Sequence, residues 1–441
     1  MSTPPLVVIG AGPIGLSAAA HAVSRGLDVV VLEAGPQAAS SVLEWAHVRL
    51  FSPWSEVIDP VAATLLVGCG WEPPEPTAYP SGADWAARYL QPLADALDAT
   101  DHAQVRYGAR VIGVSRQGRD RLVDDGRLEA PFTVLVTTAG ATERLTARAV
   151  IDAGGTWATP NPLGTDGLLA LGEHEAARRI SYRVPDLRDV ATRNRYAGRH
   201  VALAGTGASA QTVLAELGAL ADSEPGTRVS WLVRRASASG SFGGGTDDQL
   251  VARGTLGDQA RRVAGSGVVR TVTGFRTTGV GTAADGSLTL TSVDGQQVGG
   301  IDEIIAVTGF RPDHTVVGEL RLGLDPVLQA PTALAPLIDP NLHSCGTVYP
   351  HGATELAHPE PGFFLAGMKS YGRAPSFLAL TGFEQVRSIV AAVAGDREAA
   401  ERVELVLPET GVCGGAGKFD APEDSCCAAE SDILPMPVHT S

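Results

Sequence analysis

Short apolar runs that end at glycine-rich turns recur along the chain and mark out its expected elements. Leu6–Ile9 and residues 201–204 are such runs, and each following turn leads into a stretch of small and apolar residues. Two further apolar runs, Val29–Leu32 and residues 229–233, come after those stretches. Strand, turn, helix and second strand in this order predict a β-α-β unit, so two such units are expected.

The rest of the pattern predicts further elements around these units. Apolar positions repeat at helical spacing over residues 83–97 and again over residues 376–394. Residues 105–114 and 132–137 read as strands, and residues 149–155 form an apolar strand that ends in small residues. Strands that alternate with helices in this way predict an α/β fold.

The first glycine-rich turn, residues 10–15, has the spacing of a dinucleotide-binding turn. In such a turn the first glycine adopts a positive φ, the second lets a pyrophosphate approach, and the third lets helix and strand pack. N–H groups at the helix start face the phosphates, and an acid such as Glu33 after the next strand suits the ribose hydroxyls. The alternative is a glycine turn that serves only packing. The predicted cofactor-binding residues are Gly10, Gly12, Pro13, Ile14, Gly15 and Glu33.

The second turn, residues 205–210, differs from the first in two ways. Its third small residue is Ala210, which the motif tolerates, and the next strand ends at two arginines instead of an acid. Because a cation at this place pairs with a 2′-phosphate, the sequence favours NADPH over NADH. The alternative is that one or both arginines are solvated surface residues. The predicted cofactor-binding residues are Gly205, Gly207, Ala208, Arg234 and Arg235.

Composition and charge narrow the class of protein. The chain has 441 residues, of which 34 are basic and 49 acidic, and its net charge is −15. No basic patch stands out, so nucleic acid is not an expected partner, and an acidic surface disfavours anionic membranes. No secretory leader or long apolar span is visible, and five cysteines without a dense framework suit a reducing compartment. The sequence therefore predicts a cytoplasmic protein without a membrane partner.

Four stretches of the chain together resemble the two-dinucleotide-domain flavoproteins, which include flavin-containing monooxygenases and pyridine nucleotide-disulfide reductases. They are the two glycine turns, the Thr-Gly-Phe-Arg-Pro segment at 308–312, and the Gly-Phe-Phe-Leu-Ala-Gly segment at 362–367 with the helical stretch after it. The resemblance implies FAD on the first turn and NADPH on the second. The late segments are expected to reach the cofactors through Gly309, Gly367 and Met368.

The expected architecture follows from this resemblance and from the order of the elements. It is an α/β fold of two Rossmann-like dinucleotide-binding domains, with the NADPH domain inserted in the FAD domain. Within the first domain, Arg49 and Ser52 lie in an aromatic-rich segment that either lines the flavin or is a loop anchored by buried aromatics. The expected ranges are 1–160 and 301–402 for the FAD domain, 161–300 for the NADPH domain, and 403–441 for a flexible cysteine-containing tail.

Three departures from the family pattern bear on the chemistry. No Cys-x-x-Cys is present and Cys69 stands alone, so a dithiol mechanism beside the flavin is disfavoured. The Phe-x-Gly-x-x-x-His fingerprint of the monooxygenases is missing from residues 164–182. Reductases of this fold carry an aspartate after the late glycine, where it binds the ribityl phosphate arm of the flavin. Here that residue is Met368, which leaves Lys369, Ser370 or main-chain groups for the task.

The C-terminal tail carries three of the five cysteines. Residues 409–413, which end at Cys413, and the adjacent pair Cys426 and Cys427 resemble flavoproteins associated with arsenic-resistance operons. Thiolates favour soft ions, so these cysteines are predicted ligands of a trivalent metalloid. The alternative is a tail whose cysteines have no function.

The sequence thus predicts an NADPH-dependent FAD oxidoreductase, and most specifically a monooxygenase that acts on a soft nucleophilic small molecule such as an arsenical. The first alternative is a flavoprotein reductase that delivers electrons to a metal(loid) or thiol acceptor through the C-terminal cysteines. The second is a non-enzymatic metal(loid)-binding protein. No catalytic side chain is assigned at this level, because a flavin carries the electron chemistry itself.

Overall fold

The computed structural model describes residues 3–243, 248, 250–342, 351–375 and 377–405. Sixteen strands are found in these ranges, in two parallel sheets and two small antiparallel ones. They are Leu6–Ile9 (β1), Val29–Leu32 (β2), Ala103–Arg106 (β3), Ala109–Arg116 (β4), Phe132–Thr138 (β5), Ala141–Ala147 (β6), Ala149–Asp152 (β7), Ile180–Ser181 (β8), His200–Ala204 (β9), Arg228–Leu232 (β10), Val269–Val272 (β11), Thr277–Thr282 (β12), Leu288–Ser292 (β13), Gln297–Ile301 (β14), Glu303–Ala306 (β15) and Phe363–Leu365 (β16).

The helices cover both parallel sheets. In the described ranges they are Pro13–Ser24 (α1), Ser40–Leu43 (α2), Trp54–Val57 (α3), Pro60–Gly68 (α4), Gly82–Trp85 (α5), Gln91–Asp98 (α6), Val190–Tyr196 (α7), Ala208–Ser223 (α8), Val251–Ala264 (α9), Ala335–Ile338 (α10), Ala379–Ala394 (α11) and Arg397–Glu401 (α12). None of these helices is long and apolar enough to cross a bilayer.

The first parallel sheet has the strand order β16-β7-β1-β2-β3. Its apolar strands are buried on both faces, as parallel strands covered by helices are, and Leu6, Val7 and Val8 have no exposed surface. Helix α1 returns from β1 to the sheet and packs against α11. The chain leaves this sheet after β7 and rejoins it only at β16, so everything between is inserted.

The second parallel sheet forms within that insertion, in the order β11-β10-β9-β15-β8. Its strands β9 and β10 pair in parallel from Arg228 opposite His200 to Leu232 opposite Ala204. Helices α8 and α9 pack against each other beside it. The prediction of an α/β fold with one Rossmann-like domain inserted in another is confirmed. Strand β15 lies beyond residue 300 and still belongs to the second sheet, while the domain boundaries themselves stay a prediction.

Three sequence-predicted elements have different bounds in the structure. The single strand expected at 105–114 is two strands, β3 and β4, because Gly108 takes a φ of 60° and turns the chain from the first parallel sheet into the sheet β4-β5-β6. The helix expected at 83–97 contains a π-helical turn at Ala86–Leu90. The helix expected at 376–394 begins at Ala379.

Two chain segments connect the parallel sheets and run side by side in opposite directions. The Asn161 N–H donates to the Gly309 carbonyl at 2.9 Å, and the Arg311 N–H donates to the Thr159 carbonyl at 3.0 Å. Next to these bonds the rings of Trp157 and Phe310 lie 4.7 Å apart between centroids. Trp157, Asn161 and residues 307–310 of this paired crossing line the cavity described below.

Candidate active site

The first glycine turn combines two crowded glycines with one that faces open space. Gly10 has a φ of 96°, and a Cβ atom on it would lie 2.9 Å from the Ala153 carbonyl oxygen. A Cβ on Gly15 would lie 1.9 Å from the Gly10 carbonyl oxygen. In contrast, beyond the adjoining residues, no atom of the described chain lies within 4 Å of the Cβ position of Gly12. The open side of the turn is therefore at Gly12, where the motif brings a pyrophosphate close to the backbone.

Glu33 closes the turn from the end of β2. Its two carboxylate oxygens accept the N–H groups of Ala11 at 2.8 Å and Gly35 at 2.7 Å. A carboxylate oxygen has two lone pairs, so each still has one for a hydroxyl donor. Glu33 thus supports the turn in addition to the ribose contact expected of it.

The start of α1 meets the start of α11 at Ile14. A Cβ on Gly367 would lie 3.1 Å from the Ile14 side chain, and a Cβ on Gly382 would lie 2.4 Å from it. The same Cβ on Gly382 would lie 2.8 Å from the Phe377 ring. The first glycine turn, the loop after β16 and the first turn of α11 are therefore in direct contact.

The second glycine turn repeats the pattern of the first. Gly205 has a φ of 128°, and a Cβ on it would lie 2.3 Å from the Val307 carbonyl oxygen. Among the described residues, none apart from its chain neighbours has an atom within 4 Å of the Cβ position of Gly207. Trp231 Nε1, on the neighbouring strand β10, donates to the Gly205 carbonyl at 2.8 Å and holds the turn in place. No described side chain caps α8, so the N–H groups of its first turn remain available to a phosphate.

A cavity of about 580 Å³ opens from the second glycine turn. Arg234 and Arg235 line one part of it, and Tyr371, Phe377 and Thr381 line another. Because Phe377 also lies close to Gly382 and Ile14, the cavity reaches from the second dinucleotide turn to the wall of the first. A volume of this size accommodates a ligand of cofactor dimensions.

The two arginines give one end of the cavity a positive charge. Surrounding protein atoms, and then the like charge of Arg235, lower the pKa of Arg234. The Arg234 side chain is nevertheless exposed at the cavity surface, and a guanidinium stays charged at neutral pH. A doubly charged phosphate would offset the repulsion between the two cations.

The other end of the cavity contains a buried phenol. Tyr371 is 1% exposed, and its hydroxyl is hydrogen-bonded to the Thr381 side chain. Burial raises the pKa of Tyr371 far above its usual range, so the hydroxyl keeps its proton. Tyr371 was not among the residues expected from sequence, because a tyrosine in an irregular segment carries no pattern.

The loop after β16 contains Lys369 and Ser370, the two side chains considered above in place of the aspartate of related reductases. Lys369 Nζ turns inward to Asp152, and Ser370 Oγ donates to the Gly367 carbonyl at 2.8 Å. Gln385 Oε1 accepts the Gly367 N–H at 2.8 Å, and its amide nitrogen donates to Ser370 Oγ at 2.9 Å. Both candidate side chains therefore form hydrogen bonds inside the protein, and the groups of this loop that contact a cofactor stay a prediction.

A profile of the family described as pyridine nucleotide-disulphide oxidoreductase matches residues 7–332. The chain belongs to this family. No curated protein sequence matches it. Membership confirms the predicted class, a two-dinucleotide flavoprotein oxidoreductase, and leaves the monooxygenase activity and the arsenic-related branch as predictions.

Solved structures of several enzymes share the fold of this chain. Bacillithiol disulfide reductase from Bacillus cereus has a TM-score of 0.65 at 19% identity, covering 89% of this chain and 99% of its own. The FAD-bound cadaverine monooxygenase of desferrioxamine biosynthesis from Erwinia amylovora has 0.59 at 13%, covering 92% and 99%. The flavin-containing monooxygenase from Stenotrophomonas maltophilia has 0.53 at 21%, covering 90% and 99%. At these identities the likeness concerns the fold alone.

Other sequence-predicted residues of this oxidoreductase lie in varied settings. Arg49 is exposed, and its guanidinium donates to the Tyr79 carbonyl at 2.8 Å, whereas Ser52 is buried. Between them Phe51 lines the cavity. Ala208, Gly309 and Met368 line the cavity as well. The structure thus brings most of the second-turn and late-segment residues together, and their cofactor contacts stay a prediction.

The predicted metalloid ligands Cys413, Cys426 and Cys427 lie outside the described residues. Within the described ranges the free cysteine is Cys69, which is exposed and does not line the cavity. The same ranges contain no group of three or more His, Cys, Asp and Glu side chains arranged to hold a metal ion.

Proposed function

We propose that this protein is an NADPH-dependent FAD monooxygenase that oxygenates a small, soft nucleophilic molecule. The observation that carries the proposal is the single cavity that joins the second glycine turn and its two arginines to the aromatic wall beside the first turn. One cavity with this shape lets a nicotinamide and a flavin meet, and leaves room at their junction for a small substrate.

The residues of the first turn fit FAD. The space beside Gly12 would admit the pyrophosphate, and α1 begins without a side-chain cap from any described residue. Glu33 retains a lone pair on each oxygen for the ribose hydroxyls. When bound, FAD accepts a hydride from NADPH and, once reduced, reacts with oxygen.

The residues of the second turn fit NADPH. Gly207 has the same open space as Gly12, and α8 likewise begins without a side-chain cap from any described residue. Arg234 and Arg235 supply two cations for a 2′-phosphate, which NADH lacks.

Side chains at the inner end of the cavity exclude water and orient the ligands. Phe51, Trp157 and Phe377 provide an apolar wall, and the Tyr371 side chain lines the same cavity. The first turn of α11 begins at the same wall, with no side-chain cap from a described residue. Its positive end favours negative charge on whatever lies beside it.

The cysteine positions favour oxygenation over a dithiol route. Among the described residues no cysteine lines the cavity, and the whole chain contains no Cys-x-x-Cys. Within the described residues, therefore, no disulfide lies beside the cavity to take electrons from a reduced flavin, which supports oxygen as the acceptor over a dithiol of those ranges.

The decisive experiment supplies NADPH and ¹⁸O₂ to the FAD-loaded protein with a panel of thioethers, thiols, amines and trivalent arsenicals. We expect one ¹⁸O atom in the product per NADPH oxidised, measured by mass spectrometry. NADPH oxidation that follows disulfide or metal(loid) reduction without oxygen uptake would instead establish the reductase alternative. A protein that oxidises no NADPH with any acceptor would leave only the non-enzymatic binding role.

A trivalent arsenical is the substrate class we propose within this panel, on the strength of the tail sequence. Replacing Cys426 and Cys427 together with serine is expected to weaken phenylarsine oxide binding by at least about tenfold, because a soft ion loses thiolate ligands. Reduction of the flavin by NADPH should remain unchanged. The matched control is Cys69→Ser, which removes an exposed thiol elsewhere. Equal arsenical affinity in the double variant and the parent would remove the arsenic-related proposal and the reductase route through the tail.

A further inference from the structure

A buried ion pair lies at the carboxyl edge of the first parallel sheet. Lys369 Nζ and Asp152 Oδ2 are 2.6 Å apart, and the two residues are 6% and 0% exposed. Asp152 ends β7, and Lys369 lies four residues after β16, the strand that pairs with β7. The ion pair therefore bridges the loops that follow two adjacent strands.

The Asp152 side chain also shapes the loop that follows it. Its second oxygen, Oδ1, accepts the Gly154 N–H at 3.0 Å. The carbonyl of the intervening Ala153 is the group that would lie 2.9 Å from a Cβ on Gly10. Asp152 thus fixes the backbone against which the first glycine turn rests.

Lys369 holds the second loop against the same turn. Gly367, two residues before it, has a φ of 68° and lies against Ile14 of the first turn. Gln385 and Ser370 secure Gly367 from the other side through the hydrogen bonds described above. Together, Asp152 and Lys369 connect the loops on both sides of the predicted FAD phosphate site.

Stability alone is a weak explanation for this ion pair. Two buried charges lose their hydration, and apolar side chains of similar volume often stabilise a fold as well or better. Lys369 is also the main charge that acts on the neighbouring His314. Burial lowers the pKa of His314, and the Lys369 cation lowers it further. The exposed Asp313 faces the same cation. Since a charged lysine is retained among these groups, we infer that its role is to fix the geometry of the two loops.

We propose that Asp152 and Lys369 are positioning residues for FAD: their ion pair fixes the two loops that flank the cofactor's phosphates and so sets its affinity. The proposal rests on the proposed function only in requiring that FAD binds the first turn. Neither side chain needs to touch the cofactor, because each acts through the main chain of its own loop.

The test measures FAD binding to apoprotein, by flavin fluorescence titration, for the parent, Lys369→Met and Asp152→Asn. Each variant is expected to bind FAD at least about tenfold more weakly, a change of about 1.4 kcal/mol. The visible circular dichroism of the bound flavin should also change. The double variant Asp152→Asn/Lys369→Met should lose no more FAD affinity than the single variant that binds FAD more weakly, because both substitutions break the same ion pair. The double variant has no unpaired charge from this ion pair, so its FAD affinity can be measured even if a single variant does not fold.

The matched control is Glu360→Gln, which removes a buried carboxylate that pairs with both Arg116 and Arg127. Glu360 Oε1 lies 2.8 Å from Arg116 Nε, and their side chains are 0% and 4% exposed. This control should lower the Tm of the apoprotein while FAD affinity stays within twofold. If Lys369→Met behaves like Glu360→Gln, with lower Tm and unchanged FAD affinity, the positioning role is overturned and the cofactor assignment stands. A parent protein that binds no FAD overturns both.

Discussion

Replacing Gly12 with valine is expected to yield a folded, colourless protein that no longer binds FAD. Apart from the adjoining residues, no described residue has an atom within 4 Å of the Cβ position of Gly12, so the new side chain meets open space and the fold should tolerate it. The same space is where the pyrophosphate would lie, and the valine would fill it. Overpacking a closely fitted site costs about 3 kcal/mol, so FAD affinity should fall about a hundredfold or more. Absorbance of the purified protein near 450 nm and a titration of apoprotein with FAD measure the effect.

Gly207→Val is the matched control, because Gly207 faces the same open space in the second turn. This variant should remain yellow and lose NADPH binding. Gly15→Val provides the opposite contrast, since a Cβ there would lie 1.9 Å from the Gly10 carbonyl oxygen and should disrupt the turn itself. A Gly12→Val protein that retains FAD at parental affinity would show that the first turn serves only packing.

The features predicted correctly from sequence are those that local rules determine. Apolar runs such as Val29–Leu32 form buried parallel strands wherever helices cover both faces, and this pattern is readable without knowledge of distant contacts. The glycine turns are equally local in their backbone, because the tight turn between strand and helix gives Gly10 and Gly205 a positive φ. The insertion of one sheet in the other followed from the resemblance, and strands β7 and β16 confirm it.

Features that depend on distant partners could not be predicted in this way. Asp152 and Lys369 are separated by 217 positions, and nothing in either neighbourhood indicates that they pair. Tyr371 lines the cavity only because the loop after β16 folds beneath α11. Gly108 separates β3 from β4, because its positive φ turns the chain. The alternating pattern of the sequence shows no break at this position.

Replacing Arg234 with alanine is expected to reduce kcat/KM for NADPH by about ten- to a hundredfold. Loss of a charge-assisted hydrogen bond to a phosphate is worth about 1.5–3 kcal/mol, and this contact exists only with the 2′-phosphate. The efficiency with NADH should therefore change by less than about twofold, which is the signature of a specificity residue. Arg235 remains in this variant, so some preference for NADPH should persist.

Steady-state kinetics with both nucleotides measure this selectivity, and Arg228→Ala is the matched control. Arg228 is an exposed arginine at the opposite end of the same strand β10, so its removal changes net charge equally without reaching the cavity. The NADPH selectivity of Arg234→Lys should lie between that of the parent and that of Arg234→Ala. A lysine keeps the charge but lacks the planar guanidinium that binds two phosphate oxygens at once. A parent protein that uses NADH and NADPH with equal efficiency would mean that the two arginines are solvated residues at a strand end. Selectivity that drops with Arg234→Ala and stays with Arg228→Ala would instead place the 2′-phosphate beside Arg234, in the cavity that this residue lines.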